Sequence, residues 1–218
     1  MDGVRINKYL ADRGDATRKG ADELVRRGVV YINGRRAALG DKVMEGDEVV
    51  VRQKKKPTYT YLAYNKPIGV ETQSPVDGLF PIGRLDKKSK GLLILTDDGR
   101  ITDRLLNPDR VHDKEYKVRT RQPLPNNFKR RMEGGVAIDD YVTRECEVEV
   151  TGDHSFIITL TEGKNHQIRR MCATLRLDVT ELERTRILNI RTGRLKSGET
   201  RPIKGAELDT FLAAIGLA

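Results

Sequence analysis

Residues 80–99 read FPIGRLDKKSKGLLILTDDG, and this stretch decides how the chain is organised. Its second half predicts a buried strand, because residues 92–95 form an unbroken apolar run that the DDG of residues 97–99 closes as a tight turn. Its first half predicts a loop that places the guanidinium of Arg84 beside the carboxylate of Asp86. A carboxylate in a loop at the lip of a buried strand is well placed to meet a ligand. Asp86 is therefore a candidate functional residue, although an isolated Asp in a loop more often only shapes the turn.

Composition favours a basic, two-part protein with a polyanionic partner. The 218 residues have room for one ordinary domain and a small companion. An excess of 41 Lys and Arg over 32 Asp and Glu gives a net charge of +9, which suits nucleic acid or an anionic membrane surface. No stretch approaches the roughly 20 apolar residues of a membrane span, and the N-terminus lacks the apolar core of a signal peptide. We therefore expect a cytoplasmic protein that acts as a monomer without membrane contact.

Cysteine and histidine patterns predict neither a metal site nor a disulfide framework. Cys146 and Cys172 lie far apart and have no C-x-x-C neighbours, and the three histidines are scattered along the chain. The sequence also lacks a Walker loop and a dinucleotide-binding fingerprint. We therefore expect the protein to work without a metal ion or an organic cofactor.

The first quarter of the chain, residues 1–56, forms a basic unit with 14 Lys and Arg against 9 acidic residues. Its pattern predicts two short helices, the second ending at Gly28, and then strands at residues 29–32 and 49–51. Residues 53–58 (QKKKPT) have no apolar anchor, so we place the linker there. We predict a small domain at 1–56 and a larger one at 57–218.

Three segments of this first unit resemble the αL RNA-binding domain found in a ribosomal protein, several tRNA synthetases and many rRNA-modifying enzymes. They are RINKYLADRG (5–14), TRKGADELVRRGVVYINGRRA (17–37) and GDKVMEGDEVVV (40–51). The alternative is that the basic residues simply form a solvated helix face, which is the commoner fate of such residues. The resemblance implies contacts with RNA at Lys8, Arg18, Lys19, Arg26, Arg27 and Arg36.

Five ordered segments of the rest of the chain resemble the pseudouridine synthases of the RsuA/Rlu type. They are NKPIG (65–69), the stretch at 80–99, KEYKV (114–118), EGKNHQIRRMC (162–172) and LERTRI (182–187). The last segment is most similar to the F-type branch of these enzymes, which modifies large-subunit rRNA. Lys164 and His166 stand where close relatives commonly carry arginines.

This resemblance assigns roles to named residues. Asp86 takes the position of the catalytic aspartate, Tyr116 that of the tyrosine that packs against the target uracil, and Arg169 that of the arginine that pairs with the aspartate. Such a guanidinium is expected to keep a carboxylate ionised in a dry pocket. Arg84 is expected to enter the space left by a flipped base, and Lys66 of the NKPIG segment to contact RNA. Without the family, Tyr116 would be an ordinary strand aromatic and Arg169 a surface helix cation.

Periodicity predicts two further elements. Strict alternation over residues 143–150 predicts an antiparallel strand with one exposed face. Residues 168, 171, 172 and 175 are apolar at helical spacing, so they predict an amphipathic helix with Asn165 as its N-cap. The fold class is α+β: a small N-terminal helical and hairpin RNA-binding domain, followed by a catalytic domain with a mixed, mostly antiparallel sheet flanked by helices.

The predicted function is the isomerisation of a specific uridine to pseudouridine in ribosomal RNA, in the large subunit. The alternatives are a non-catalytic RNA-binding or ribosome-assembly factor on the same scaffold, and the same chemistry on small-subunit rRNA or tRNA. Whether Asp86 would attack the sugar, attack the base or remove a sugar proton stays open.

Overall fold

The computed structural model describes residues 3–52, 58–107 and 110–217. The chain divides into two units, one made of residues 1–59, 98–103 and 217, the other of residues 60–97, 104–216 and 218. The predicted linker falls outside the described residues except for Thr58, so the boundary between 56 and 57 stays a prediction.

The first unit packs two helices against short strands. In chain order its elements are β1 (Val4–Arg5), α1 (Ile6–Arg13), α2 (Arg18–Arg26), β2 (Val30–Ile32), β3 (Arg35–Arg36), β4 (Lys42–Val43) and β5 (Val49–Val51). Strands β3, β2 and β5 form an antiparallel sheet, and β1 pairs with β4. Thr17 caps α2 by accepting a hydrogen bond from the Gly20 N–H at 3.0 Å. Gly28 follows α2 with a φ of 68°, as its position after the helix predicts.

The second unit is built on one large sheet; of the elements that follow, helix residues 100–103 belong to the first unit. From residue 61 onward the elements are β6 (Tyr61–Lys66), β7 (Phe80–Ile82), β8 (Lys90–Thr96), α3 (Arg100–Leu106), β9 (Lys114–Thr120), α4 (Phe128–Glu133), β10 (Ala137–Ile138), β11 (Tyr141–Val142), β12 (Glu147–Gly152), β13 (Ser155–Leu160), α5 (Gln167–Thr174), β14 (Val179–Ile187), β15 (Ile190–Arg191), β16 (Thr200–Pro202) and α6 (Gly205–Ala214). The sheet has nine strands in the order β12-β13-β9-β14-β8-β6-β16, with β15 beside β14 and β7 beside β8. Only the β14–β8 pairing within it is parallel.

The predicted central strand is confirmed, because residues 92–95 lie in β8 with no exposed surface. One face of the sheet packs against α4 and α5, where Phe128 and Phe156 meet edge to face with ring centroids 4.7 Å apart. Ile168, Met171 and Cys172 bury the apolar side of α5 in the same cluster. The mixed, mostly antiparallel sheet with flanking helices is the architecture that the sequence predicts.

Gly91 is required where β8 meets β14. A Cβ atom at this position would lie 2.3 Å from the Arg184 carbonyl oxygen, and the backbone has a φ of 110°. Both the steric contact and the left-handed φ exclude any other residue without a backbone shift. The absence of a side chain at residue 91 therefore allows the loop that carries Asp86 to enter the sheet directly beside β14.

Two sequence predictions are wrong in detail. The predicted strand at 143–150 begins only at Glu147, because the preceding amides bond elsewhere: the Thr143 N–H donates to the Val136 carbonyl and the Cys146 N–H to the Glu133 carbonyl. Asn165 does not cap α5. The N-cap is His166, with a left-handed φ of 48°, and no side chain caps the helix.

Within the described residues, no helix combines the length and the apolar character needed to cross a lipid bilayer.

Candidate active site

The loop between β7 and β8 holds Asp86 in a defined position. The Thr72 hydroxyl donates to the Leu85 carbonyl at 2.7 Å and accepts from the Leu85 N–H at 3.0 Å. On the other side of the carboxylate, the Ser89 N–H donates to the Asp86 carbonyl at 2.9 Å. The Asp86 side chain is 39% exposed, so the carboxylate is fixed at its backbone but open to a ligand.

The Asp86 carboxylate pairs with His166 rather than with Arg169. His166 Nε2 lies 3.2 Å from Asp86 Oδ1. The Arg169 guanidinium instead donates to the Lys88 carbonyl at 2.9 Å and to the Val179 carbonyl at 3.0 Å. Among the described residues no ion pair joins Arg169 to Asp86. The structure therefore differs from the expectation that these two side chains pair directly. Because it binds Lys88, two residues after Asp86, Arg169 secures the loop through its backbone.

Tyr116 lies on β9 and packs towards the same loop. Its half-buried ring contacts an apolar cluster that contains Tyr64, Leu85, Leu93 and Leu95. Leu85 directly precedes Asp86, so this cluster links the tyrosine to the loop that carries the carboxylate. The structure thus brings together the three segments that hold Asp86, Tyr116 and Arg169.

Lys66 has a different place from the one the sequence indicates. Its side chain has no exposed surface, and its ammonium donates to the Pro67 carbonyl at 2.9 Å and to the Val70 carbonyl at 2.8 Å. Burial lowers the pKa of Lys66, and the negative charge of Asp86 opposes that shift. Lys66 is therefore an internal cation that shapes the chain beside Asp86, and its burial gives no support to the RNA contact, which stays a prediction.

Strand register places several of these residues in one row across the sheet. Lys66 pairs with Gly91, Gly91 with Arg184, and Arg184 with Tyr116. Directly paired residues point to the same face and lie on strands about 4.8 Å apart. Arg184 is 4% exposed; its Nε donates to the Leu92 carbonyl at 2.8 Å, while its Nη2 is buried without a hydrogen-bond partner. Two buried cations, Lys66 and Arg184, therefore lie in one row across the sheet, the cationic row, which sequence spacing does not reveal.

Lys114 lies close enough to Arg184 of the cationic row for the two charges to interact, and this gives a pH-dependent prediction. Its pKa falls to about 8, first through burial and then through the positive charge of Arg184, while Asp113 partly opposes the shift. The folded state thus disfavours the Lys114 proton more than the unfolded state does. Because the pKa of Lys114 is lower in the folded state, the charged lysine reduces the free energy of unfolding by its full amount below about pH 8. This reduction disappears as the pH rises towards 10.5.

We expect the free energy of unfolding of wild type, relative to Lys114→Met, to rise by about 2 kcal/mol between roughly pH 7 and pH 10. Urea unfolding of both proteins at several pH values measures this difference. The comparison of the two proteins cancels the other titrating groups. Following the change of their difference with pH then separates the titration of Lys114 from the constant effect of losing its hydrogen bond to the His112 carbonyl. A pH-independent difference between the two proteins would show that Lys114 titrates alike in the folded and unfolded states.

A buried carboxylate network holds the turn that presents His166. Glu162 is 5% exposed and accepts hydrogen bonds from the Tyr141 hydroxyl at 2.5 Å and the Gln167 amide nitrogen at 2.5 Å. Gln167 in turn accepts from the Lys164 N–H at 2.9 Å. These bonds explain why α5 begins at Gln167, because the side chain of that residue closes the turn in place of Asn165. In the sequence, the only indication of this turn is the dipeptide of Glu162 and Gly163 before the helix.

The basic residues assigned to RNA in the first unit are all exposed. Near the end of α2, Arg26 Nη1 lies 3.5 Å from Glu23 Oε2. The first turn of the same helix has no acidic residue. In the second unit, Arg84 is exposed two residues before Asp86. The exposed set comprises Lys8, Arg18, Lys19, Arg26, Arg27, Arg36 and Arg84.

Comparison with known proteins assigns both units. Residues 60–174 match the family model of RNA pseudouridylate synthases, and residues 4–49 match that of the S4 domain. The chain is 39% identical to the dual-specificity RNA pseudouridine synthase RluF of Salmonella typhi, over 94% of this chain and 77% of that protein. The chain belongs to the RNA pseudouridine synthase family.

Two further relatives agree with this membership. The ribosomal large subunit pseudouridine synthase B of Bacillus subtilis is 30% identical, over 96% of both chains. A crystal structure of a pseudouridylate synthase superposes with a TM-score of 0.69 at 27% identity, covering 95% of this chain and 99% of that one. The resemblance to RsuA/Rlu-type synthases and to the RNA-binding domain is therefore confirmed. The protein is an isomerase that converts uridine to pseudouridine in RNA.

Among the described residues, no group of three or more His, Cys, Asp or Glu side chains is placed to hold a metal ion.

Proposed function

We propose that this synthase isomerises one uridine of large-subunit ribosomal RNA, with Asp86 as the catalytic carboxylate. The observation that supports this role is the place of Asp86, which is open to solvent where the loop from β7, the turn before α5 and the cluster around Tyr116 meet. The similarity to the ribosomal large subunit synthase of Bacillus subtilis supports the choice of RNA. We further propose that the enzyme acts in the cytoplasm as a monomer.

The reaction breaks the N1–C1′ bond, turns the uracil and forms a C5–C1′ bond, after which the proton on C5 is lost to water. The proton lost from C5 is balanced by a proton that N1 gains, so the product is an isomer of uridine and the net change needs no oxidant and no group donor. The Asp86 carboxylate assists cleavage of the glycosidic bond. Tyr116 provides a flat face for the uracil and a hydroxyl that can receive hydrogen bonds from the base.

A stacked uridine has to leave the RNA helix before it meets Asp86. Flipping costs a few kcal/mol, which phosphate contacts from the exposed basic residues of the S4 domain offset in part. We propose that Arg84, exposed two residues from Asp86, fills the space that the base leaves. His166 contacts the Asp86 carboxylate, so an entering uridine either displaces this contact or uses it.

The test is to map pseudouridines in rRNA and tRNA from cells with and without the protein. We expect one large-subunit site to be lost in its absence and restored by wild type but not by Asp86→Asn. Loss at a small-subunit or tRNA site instead would keep the chemistry and change the substrate. An unchanged pattern in all RNAs would favour the non-catalytic alternative.

A further inference from the structure

The three-stranded sheet of the S4 domain has an outer face that carries Arg36, one of the basic residues expected to contact RNA. Tyr31 pairs with Arg36 on β3 and with Val50 on β5. Directly paired residues point to the same side, and their neighbours Val30, Ile32 and Val49 are buried on the other side. The half-buried Tyr31, with exposed Arg36 and Val50, therefore faces outward.

Two guanidinium groups are arranged around the Tyr31 ring. Arg52 Cζ lies 4.4 Å from the centroid of the ring, and Arg36 Nε donates to the Tyr31 hydroxyl at 3.4 Å. The hydrogen bond from Arg36 is the largest cause of a lowered Tyr31 pKa, and the positive charges of both arginines act in the same direction. The ring thus orders the Arg52 side chain on an exposed surface.

These two arginines lack acidic partners, in contrast to other arginines of the same domain. Arg35 pairs with Asp41 at 2.9 Å, and Arg13 with Asp15 at 2.5 Å. Across the part of the chain that the structure describes, neither Arg36 nor Arg52 is within ion-pair distance of a carboxylate. Their charges are therefore left for a ligand, and they favour an anionic one.

We propose that Arg52, stacked on Tyr31 and flanked by Arg36, binds one unpaired nucleotide of the RNA substrate. The base stacks on the outer face of the Arg52 guanidinium, and its phosphate meets Arg36. Bases of single strands stack on aromatic rings and on arginine planes, whereas paired bases inside a duplex have no free face to offer. This contact rests on the proposed function only in requiring RNA as the ligand. It makes the S4 domain selective for a single-stranded segment of the RNA.

The test measures binding of the full-length protein to a fluorescent single-stranded RNA and to a duplex of equal length. Arg52→Lys retains the positive charge but removes the planar guanidinium on which a base can stack. We expect it to weaken single-strand binding about 5- to 10-fold, to change duplex binding less than about 2-fold, and to leave the salt dependence unaltered. Tyr31→Leu removes the support for the guanidinium and is expected to show the same pattern. The matched control, Arg35→Lys, changes an arginine already paired with Asp41 and is expected to bind both RNAs like wild type.

Wild-type affinity of Arg52→Lys for the single strand would overturn the proposal. Equal losses for single strand and duplex would also overturn it, since they would indicate a plain charge contact. Circular dichroism spectra confirm that each variant is folded. The oligonucleotides do not contain the modified rRNA site, so a failure of the proposed rRNA substrate leaves this test unaffected and is detected separately by pseudouridine mapping.

Discussion

Asp86→Asn is expected to lower pseudouridine formation by roughly 10³-fold or more, the scale on which one positioned acid–base or nucleophilic group acts. Asparagine keeps the size of the side chain and can still contact His166, but it can neither attack carbon nor accept a proton. RNA affinity should stay within a few-fold of wild type, because the phosphate contacts lie on other residues. Release of tritium from RNA labelled at uracil C5 measures the turnover.

The matched control is Asp77→Asn, which changes an exposed acidic residue in the segment before β7. This control is expected to turn over RNA like wild type. Appreciable tritium release by Asp86→Asn, under conditions in which the control is fully active, would remove Asp86 from the chemistry.

Arg169→Ala is expected to reduce turnover by about 10²-fold with the fold retained. The Arg169 guanidinium bridges the Lys88 and Val179 carbonyls at 2.9 and 3.0 Å, so its loss frees the loop that carries Asp86 from the first residue of β14. A displacement of about 1 Å at a reacting group is enough for a loss of this size. Single-turnover rates measure the effect, and circular dichroism reports the fold.

Arg131→Ala removes an exposed arginine of α4 and serves as the comparison, with an expected rate close to wild type. Arg169→Lys offers one ammonium in place of a fork and is expected to recover part of the rate. If Arg169→Ala retains the wild-type rate, the bridge to Lys88 does not position the catalytic loop.

The sequence predicted the parts of the site that depend on local pattern. The apolar run at 92–95, closed by a tight turn, predicted a buried strand and hence a loop containing Asp86 before it, and the structure buries all four residues. The apolar positions of α5 likewise determined which side of that helix is buried. Both are properties of neighbouring residues, which periodicity records directly.

The parts that the sequence could not predict depend on distant backbone groups. Lys66 was expected to contact RNA because nothing in the NKPIG segment indicates that the Pro67 and Val70 carbonyls accept hydrogen bonds from its ammonium. His166 was noted only as a replacement for arginine, and its contact with Asp86 follows from a left-handed turn that Glu162 and Gln167 hold. The position of Arg184 beside Tyr116 depends on the register between β14 and β9, which a single sequence does not specify.

The parallel pairing of β8 with β14 also has a consequence for the order in which the protein matures. The pairing joins Gly91 to Arg184, so the cationic row cannot exist until Arg184, in the last quarter of the chain, has been synthesised. The helices and three-stranded sheet of the S4 domain lie within residues 4–51, so their contacts with one another can form early in synthesis. We expect a nascent chain on the ribosome to acquire affinity for RNA well before it becomes an active enzyme.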